Sequence, residues 1–245
     1  MSVHPAIEPP PCVWELPDIS LAPPDEEVLA TGADLEPGTL LAAYRSGLFP
    51  MHVTVDDEHP LGWWSPNPRG IIDDLKVSRS LRRSIKRFRI SVDSAFDDVI
   101  AACSLEHDGP QWINTEIQSA FRRLFDLGWA HSVEVSNLDG ELVGGLYGVS
   151  IGGFFAGESM FHRVPDASKI ALLYLKAMME ANGNSNNLLD VQWRTDHLGS
   201  MGAVEISRPE YLERLKSAVA APSINFEAPS KRKLREWLQV RAEGN

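Results

Sequence analysis

Three short clusters hold the residue types from which an acyl-transfer site is built. Gly144-Gly145-Leu146-Tyr147-Gly148 is glycine-rich, and Gly157-Glu158-Ser159-Met160-Phe161 sets one carboxylate among small and apolar residues. Asp190-Val191-Gln192 places two polar side chains about an apolar one. Glycines inside a strand weaken it unless a backbone must pass close by, so they mark either a bulge or a place where another molecule's carbonyl is approached. A carboxylate as apolar in context as Glu158 is costly unless it meets a cation or donors. A ligand's ammonium or guanidinium would serve, and so would an internal Arg or Lys. Asp190 and Gln192 stand two residues apart on a strand, which predicts that they share one face while Val191 points to the other. Backbone close to a carbonyl, with polar side chains to manage an amine, is the chemistry of acyl transfer.

Other chemistries lack their signatures. The glycines neither follow a strand nor open a helix as a dinucleotide fingerprint requires, and no Gly-x-x-x-x-Gly-Lys loop is present. His131, His162 and His197 are far apart, and Cys12 and Cys103 are the only cysteines, so no metal-ligand spacing occurs and no metal site is predicted. Two thiols also make no disulfide framework, which suits a reducing cytoplasm. The chain has no run of 18 apolar residues and no basic-then-apolar leader, so neither a membrane span nor a signal peptide is expected.

A formal net charge of -11 argues against a nucleic-acid partner, but its distribution argues for one. Lys76, Arg79, Arg82, Arg83, Lys86, Arg87 and Arg89 share one segment with no acidic residue among them. A solvated helix face usually mixes both signs, whereas a focused stripe on an acidic body steers a phosphate backbone to one place.

The elements that must position these residues differ between two parts of the chain. Twelve of the 17 prolines fall before residue 70, predicting a small loop-rich N-terminal domain over 1–70 with one clear helix from Pro37 to Ser46. From 71 to 245 the pattern is regular. Ser78 is placed to cap a basic helix to about Phe88, Asp93 to cap a helix through Phe96, Val99, Ile100 and Cys103, and Asn114 to cap a third ending at Gly128. Alternation over His131–Val135, the turn pair Asp139-Gly140 and a return over Glu141–Val149 predict a hairpin. Phe154–Phe161 reads as a further strand. A helix capped by Asp166, a strand over Leu188–Trp193, a helix from Pro209 and a peripheral basic helix over Lys231–Arg241 complete the order. Helices, an antiparallel sheet, then a helix and another strand define an α+β fold. The order resembles that of the common N-acetyltransferases, whose coenzyme A loop this chain lacks. Trp63, Trp64 and Trp112 lie in loop-like contexts, where they either stack on a base or fill the joint between lobes.

Several blocks, in order along the chain, resemble the signatures of bacterial leucyl/phenylalanyl-tRNA–protein transferases. They include Thr31-Gly32-Ala33-Asp34-Leu35, Leu40 to Pro50, and Trp63-Trp64-Ser65-Pro66-Asn67-Pro68-Arg69. The clusters around Leu146, Glu158 and Asp190, with Ala130-His131-Ser132-Val133-Glu134 and His197 to Ala203, continue the series. The resemblance implies a small N-terminal domain and an acetyltransferase-like (GNAT-like) C-terminal domain with a mixed, largely antiparallel sheet. It implies an enzyme without metal or cofactor that moves leucine or phenylalanine, and less well methionine, from aminoacyl-tRNA to proteins beginning with Arg or Lys. Those proteins are thereby marked for N-end-rule degradation. It further implies a cytoplasmic monomer. Leu146, Phe155 and Leu175 match the aminoacyl pocket, and Trp112 an aromatic near the terminal adenosine. Glu158 matches the carboxylate for the basic N-terminus, and Asp190 with Gln192 the catalytic pair, in which Gln192, a very poor base, orients the amine. Lys76, Arg79, Arg82, Arg83, Lys86 and Arg87 match the segment holding the acceptor stem. Met51 stands where the family usually has Trp, so base stacking there is expected to be either weaker or supplied by Trp63, Trp64 or His52. Thr195 replaces an Asn.

Overall fold

The computed structural model describes residues 5–54, 56, 58–105, 112–181 and 183–243, without the side chains of 231, 242 and 243. Short strands β1 (Val28–Thr31), β2 (Phe49–His52) and β3 (Leu61–Trp64) form a three-stranded antiparallel sheet in the order β1-β3-β2. Helix α1 (Pro37–Arg45) packs beside it, with Pro37 in its first turn and Leu40, Leu41 and Tyr44 on its buried side.

The second sheet has seven strands. They are β4 (Arg69–Ile71), β5 (Arg89–Val92), β6 (Ala130–Ser136), β7 (Leu142–Ile151), β8 (Phe154–His162), β9 (Leu188–Gln192) and β10 (Val204–Ile206). Their order is β10-β4-β9-β8-β7-β6-β5, antiparallel at every step except the β8–β9 pair. A parallel step needs a crossover, and helix α5 (Ala167–Glu180) supplies it.

Alternation along the strands separates two apolar layers. Tyr147, Val149, Phe154, Ala156 and Leu188 face a cluster shared with α1, with α3 (Phe96–Leu105), α4 (Thr115–Asp126) and α7 (Arg208–Val219), and with Trp63 of the small sheet. Leu146, Phe155, Leu189 and Val191 face a cluster with α5, with Leu81 of α2 (Arg79–Ser84), and with Leu234 and Leu238 of α8 (Lys231–Glu243). A sheet covered on both faces has strands that are buried along nearly their whole length, as β7 is.

Several expectations meet the structure directly. Asn114 caps α4 by accepting from the Ile117 amide at 2.9 Å. The basic helix is α2 followed by one 3-10 turn, Ile85–Arg87, and Ser78 caps it. Others need correction. Residues 89–92 are an edge strand, and Asp93 caps no helix; at φ +54 its carboxylate accepts from the Ser132 amide and meets His131 Nδ1 at 2.7 Å. Asp166 stands at the start of α5 without capping it, because its carboxylate takes the Ser84 hydroxyl at 2.6 Å. The C-terminal helix is not peripheral. Leu234 and Leu238 are buried, and Arg241 pairs with both Asp74 and Glu180.

Candidate active site

The site forms where β8 and β9 separate. Their parallel ladder runs Phe154↔Leu188, Phe155↔Leu189 and Ala156↔Asp190, and ends there. Beyond it, residues 157–160 on one strand and Val191 and Gln192 on the other line a cavity of about 330 Å³. Its remaining walls come from both layers: Phe49, Pro50, Met51 and Trp112 on one side, Leu146, Leu172, Leu175 and Leu189 on the other. Thr195, His197 and Leu198, at the start of α6 (Asp196–Ser200), also contribute.

Two local departures from regular strand aim the polar groups. On β8 the pairing with β7 passes from Ser159↔Tyr147 to Gly157↔Gly148, leaving Glu158 as the extra residue of a β-bulge. Bulges re-aim side chains beside functional sites. On β9, Gln192 has φ +56 and the Trp193 amide donates to the Val191 carbonyl at 2.7 Å, a γ-turn centred on Gln192. Gly70 makes room for it, since a Cβ there would stand 2.8 Å from the Arg194 nitrogen.

This turn overturns the simple parity. Asp190 and Gln192 do not share a function-facing side. Asp190 lies behind the cavity, fully buried, and each of its oxygens is taken twice. Oδ1 accepts from Arg69 Nε and the Gln192 amide, both at 2.9 Å. Oδ2 accepts from Arg69 Nη2 at 2.7 Å and Tyr211 Oη at 2.8 Å. Val191, expected to face away, lines the cavity, and the γ-turn swings Gln192 round to join it. Asp190 therefore holds the backbone that presents Gln192 and has no lone pair left for a substrate proton. Burial opposes the Arg69 charge, but Asp190 beside it more than compensates and raises its pKa.

Glu158 and Gln192 are left wanting partners. Among the described residues, Oε1 of Glu158 and Nε2 of Gln192 are buried and make no hydrogen bond. An unmet buried group costs about 1–3 kcal/mol, so both are poised for a ligand. Burial pushes the Glu158 carboxyl up to about 8. The nearby Tyr44 hydroxyl opposes that shift without making a hydrogen bond of regular geometry, the Asp190 charge adds to it, and Arg69 opposes it.

Other anticipated residues fall as follows. Leu146, Leu175, Trp112 and Met51 line the cavity. Phe155 does not line it; fully buried, it packs in the layer behind Leu146 and Leu175. Trp63, Trp64 and His52 are not on its wall either. Trp63 donates to the Gly32 carbonyl, Trp64 to the Met51 carbonyl, and His52 meets His59 and Asn114. Trp193 joins Phe49 and Trp112 on the cavity wall, an assignment the sequence did not offer. Gly144, Gly145 and Gly148 approach the chain itself: added Cβ atoms would stand 2.5 Å from Ala167 Cβ, 2.9 Å from the Val133 oxygen and 2.1 Å from the Ala156 oxygen. Lys76, Arg79, Arg83, Lys86 and Arg87 are exposed, whereas Arg82 is half-buried and donates to the Leu238 carbonyl at 2.8 Å. Arg69 and Tyr211 were missed as site residues, although Arg69 ends one of the recognised blocks. No local signal joins Arg69 to Asp190, 121 positions away.

Among the described residues, no helix is long and apolar enough to cross a membrane, and no group of three or more His, Cys, Asp or Glu gathers as a metal site.

Two family models match. That for leucyl/phenylalanyl-tRNA protein transferase covers residues 71–216, and that for the N-terminal domain of the same proteins covers 33–67. Curated proteins named leucyl/phenylalanyl-tRNA–protein transferase are similar over most of their length. One from Aromatoleum aromaticum is 48% identical over 190 residues, covering 75% of this chain and 78% of its own. One from Nitrosomonas eutropha is 47% identical over 204 residues (81% and 85%), and one from Anaeromyxobacter dehalogenans is 46% identical over 216 (85% and 89%).

Proposed function

The chain belongs to the leucyl/phenylalanyl-tRNA protein transferase family, and from that membership we propose an aminoacyltransferase joining charged tRNA to protein N-termini. The donors are Leu-tRNA and Phe-tRNA, and less well Met-tRNA. The acceptors are proteins beginning with Arg or Lys, which the added residue marks for N-end-rule degradation in the cytoplasm. One observation carries this reading: a single cavity is apolar among Leu146, Leu172, Leu175 and Leu189 and holds, beside that wall, Glu158 Oε1 and Gln192 Nε2, which make no hydrogen bond among the described residues.

The apolar wall takes the aminoacyl side chain. Met51, Trp112 and Trp193 receive the terminal adenosine, and the exposed cations over residues 76–87 hold acceptor-stem phosphates, contacts that position without reading sequence. A guanidinium or ammonium is the charge partner Glu158 lacks, which explains a preference for Arg or Lys at the acceptor's first position. The α-amine, neutral when it reacts, attacks the ester carbonyl carbon. The C–O bond to the 3′-oxygen breaks, and the leaving oxygen ends with the proton the amine gives up. Gln192 Nε2 is a donor, so it suits the acyl oxygen as negative charge develops there rather than the amine itself. The ester is already activated, and holding both reactants in register is worth about 7–11 kcal/mol.

Radiolabelled Leu-tRNA or Phe-tRNA, mixed with the purified protein and peptides starting with Arg, Lys or Ala, tests this. Label should pass to the first two only. Gln192→Ala should slow transfer by roughly 10²–10³ with tRNA affinity retained. Label on the Ala peptide, or an undiminished Gln192→Ala rate, would refute the assignment.

A further inference from the structure

We propose that the C-terminal helix α8 is a second phosphate-binding element, extending the surface of α2 along the body of the tRNA beyond the acceptor end. The inference rests on the function proposed above and concerns residues 231–243, which lie outside the matched family region of 71–216.

The chain's charge is uneven in two places. Segment 76–89 carries a formal +7 and segment 231–243 a formal +3, in a chain of net -11. The fold sets these segments side by side. Arg82 of α2 donates to the Leu238 carbonyl of α8 at 2.8 Å, so the two helices touch through a cation that is itself consumed in the joint. Leu234, Trp237, Leu238 and Arg241 form the attached side of α8. Leu234 and Leu238 are buried, Trp237 Nε1 donates to Glu180 at 2.8 Å, and Arg241 bridges Asp74 and Glu180.

Arg232, Lys233 and Arg235 are all exposed, Arg232 opposite the attached side and Lys233 and Arg235 on its two flanks. Arg232 is paired with Glu236 at 2.8 Å, while Lys233 and Arg235 have no acidic partner among the described residues. Arg232 and Lys233 also stand in the first turn, which holds no acidic residue. Cations there oppose the helix dipole, a placement that is unfavourable in water and favourable against an anion. A helix serving only as packing would be free to carry the opposite sign. The side chains that fasten α8 also fix its relation to the site. Asp74, held by Arg241, lies two residues before Lys76, whose amide donates to the Met201 carbonyl at 2.9 Å just after α6, and α6 lines the cavity. A duplex whose end enters the cavity is thus offered phosphate contacts by α2 and then by α8.

The test uses the full chain with Lys233→Ala and Arg235→Ala combined, and measures affinity for intact Phe-tRNA across a salt series. Loss of two contacts should weaken binding and flatten the plot of log Kd against log salt by roughly 0.9 per contact. Transfer from phenylalanyl-adenosine, which has no stem, should stay at the wild-type rate, and the melting temperature should be unchanged. Wild-type affinity and slope in the double variant would overturn the proposal. So would unchanged tRNA binding together with loss of binding to acidic phospholipid vesicles, which would give the helix to a membrane surface. If the wild type transfers from neither donor, the transferase reading itself fails, and the salt slopes still report on α8 separately.

Discussion

Glu158 is the residue whose chemistry is most exposed to measurement. Its carboxyl is held near pKa 8 chiefly by burial, against an ordinary value of about 4.3 in an unfolded chain. Between those values the folded protein binds a proton that the unfolded chain has released, so stability falls as pH rises from about 4.3 to about 8 and then levels. Glu158→Gln cannot titrate. It should therefore match the wild type near pH 5 and become the more stable protein by pH 9, gaining at most about 1.4 kcal/mol for each pH unit crossed below 8. Urea unfolding of both proteins at the two pH values decides it, and parallel stabilities at both would show that the carboxyl is solvated. The sequence identified Glu158, Asp190 and Gln192 by type but could not assign their directions. Strand parity presumes regular backbone, and here a bulge at Glu158 and a γ-turn at Gln192 both break it. Asp190 is saturated by Arg69, Tyr211 and the Gln192 amide, which in the proposed reaction makes it a positioning residue.

At the level of elements, the glycines of β7 and β8 do different work. A Cβ on Gly148 would stand 2.1 Å from the Ala156 oxygen and 2.5 Å from the Phe155 ring, so Gly148→Ala should force the β7–β8 pair apart. An overpacked core position costs about 1–3 kcal/mol. Gly157, by contrast, faces the cavity and meets only the Asp190 oxygen at 3.6 Å. Gly157→Ala should leave the melting temperature nearly unchanged while raising KM for charged tRNA. The reverse ranking in thermal melts and kinetics would mean that Gly148 rather than Gly157 borders the substrate. Long elements with strong punctuation were legible in advance, among them α4 with its Asn114 cap and the β6–β7 hairpin around Asp139-Gly140. Strands β1 to β5 and β10 were not. They span only three or four residues, too few for alternation to show, and β2 contains Pro50. Strand β5 also follows directly on a basic helix, so its Arg89 and Ile90 continue the preceding pattern.

For the molecule as a whole, the cavity draws on both apolar layers, and this requires the sheet to open between β8 and β9. The small sheet completes the outer wall through Phe49, Pro50 and Met51 of β2, which gives the proline-rich first part of the chain a direct share in the site. The run of seven cations from Lys76 to Arg89 was legible from the distribution of charge along the chain, but its link to α8 through Arg82 was not, because that contact spans 156 positions. The central claim is that donor and acceptor meet in this one cavity. A crystal structure with a non-hydrolysable 3′-amide phenylalanyl-adenosine tests it most directly. The account predicts the phenyl ring among Leu146, Leu175 and Leu189, with the amide oxygen toward Gln192 and the open side of the acyl group toward Glu158. Density instead in the cleft lined by Pro9, Pro10 and Arg123, with the 330 Å³ cavity empty, would contradict it.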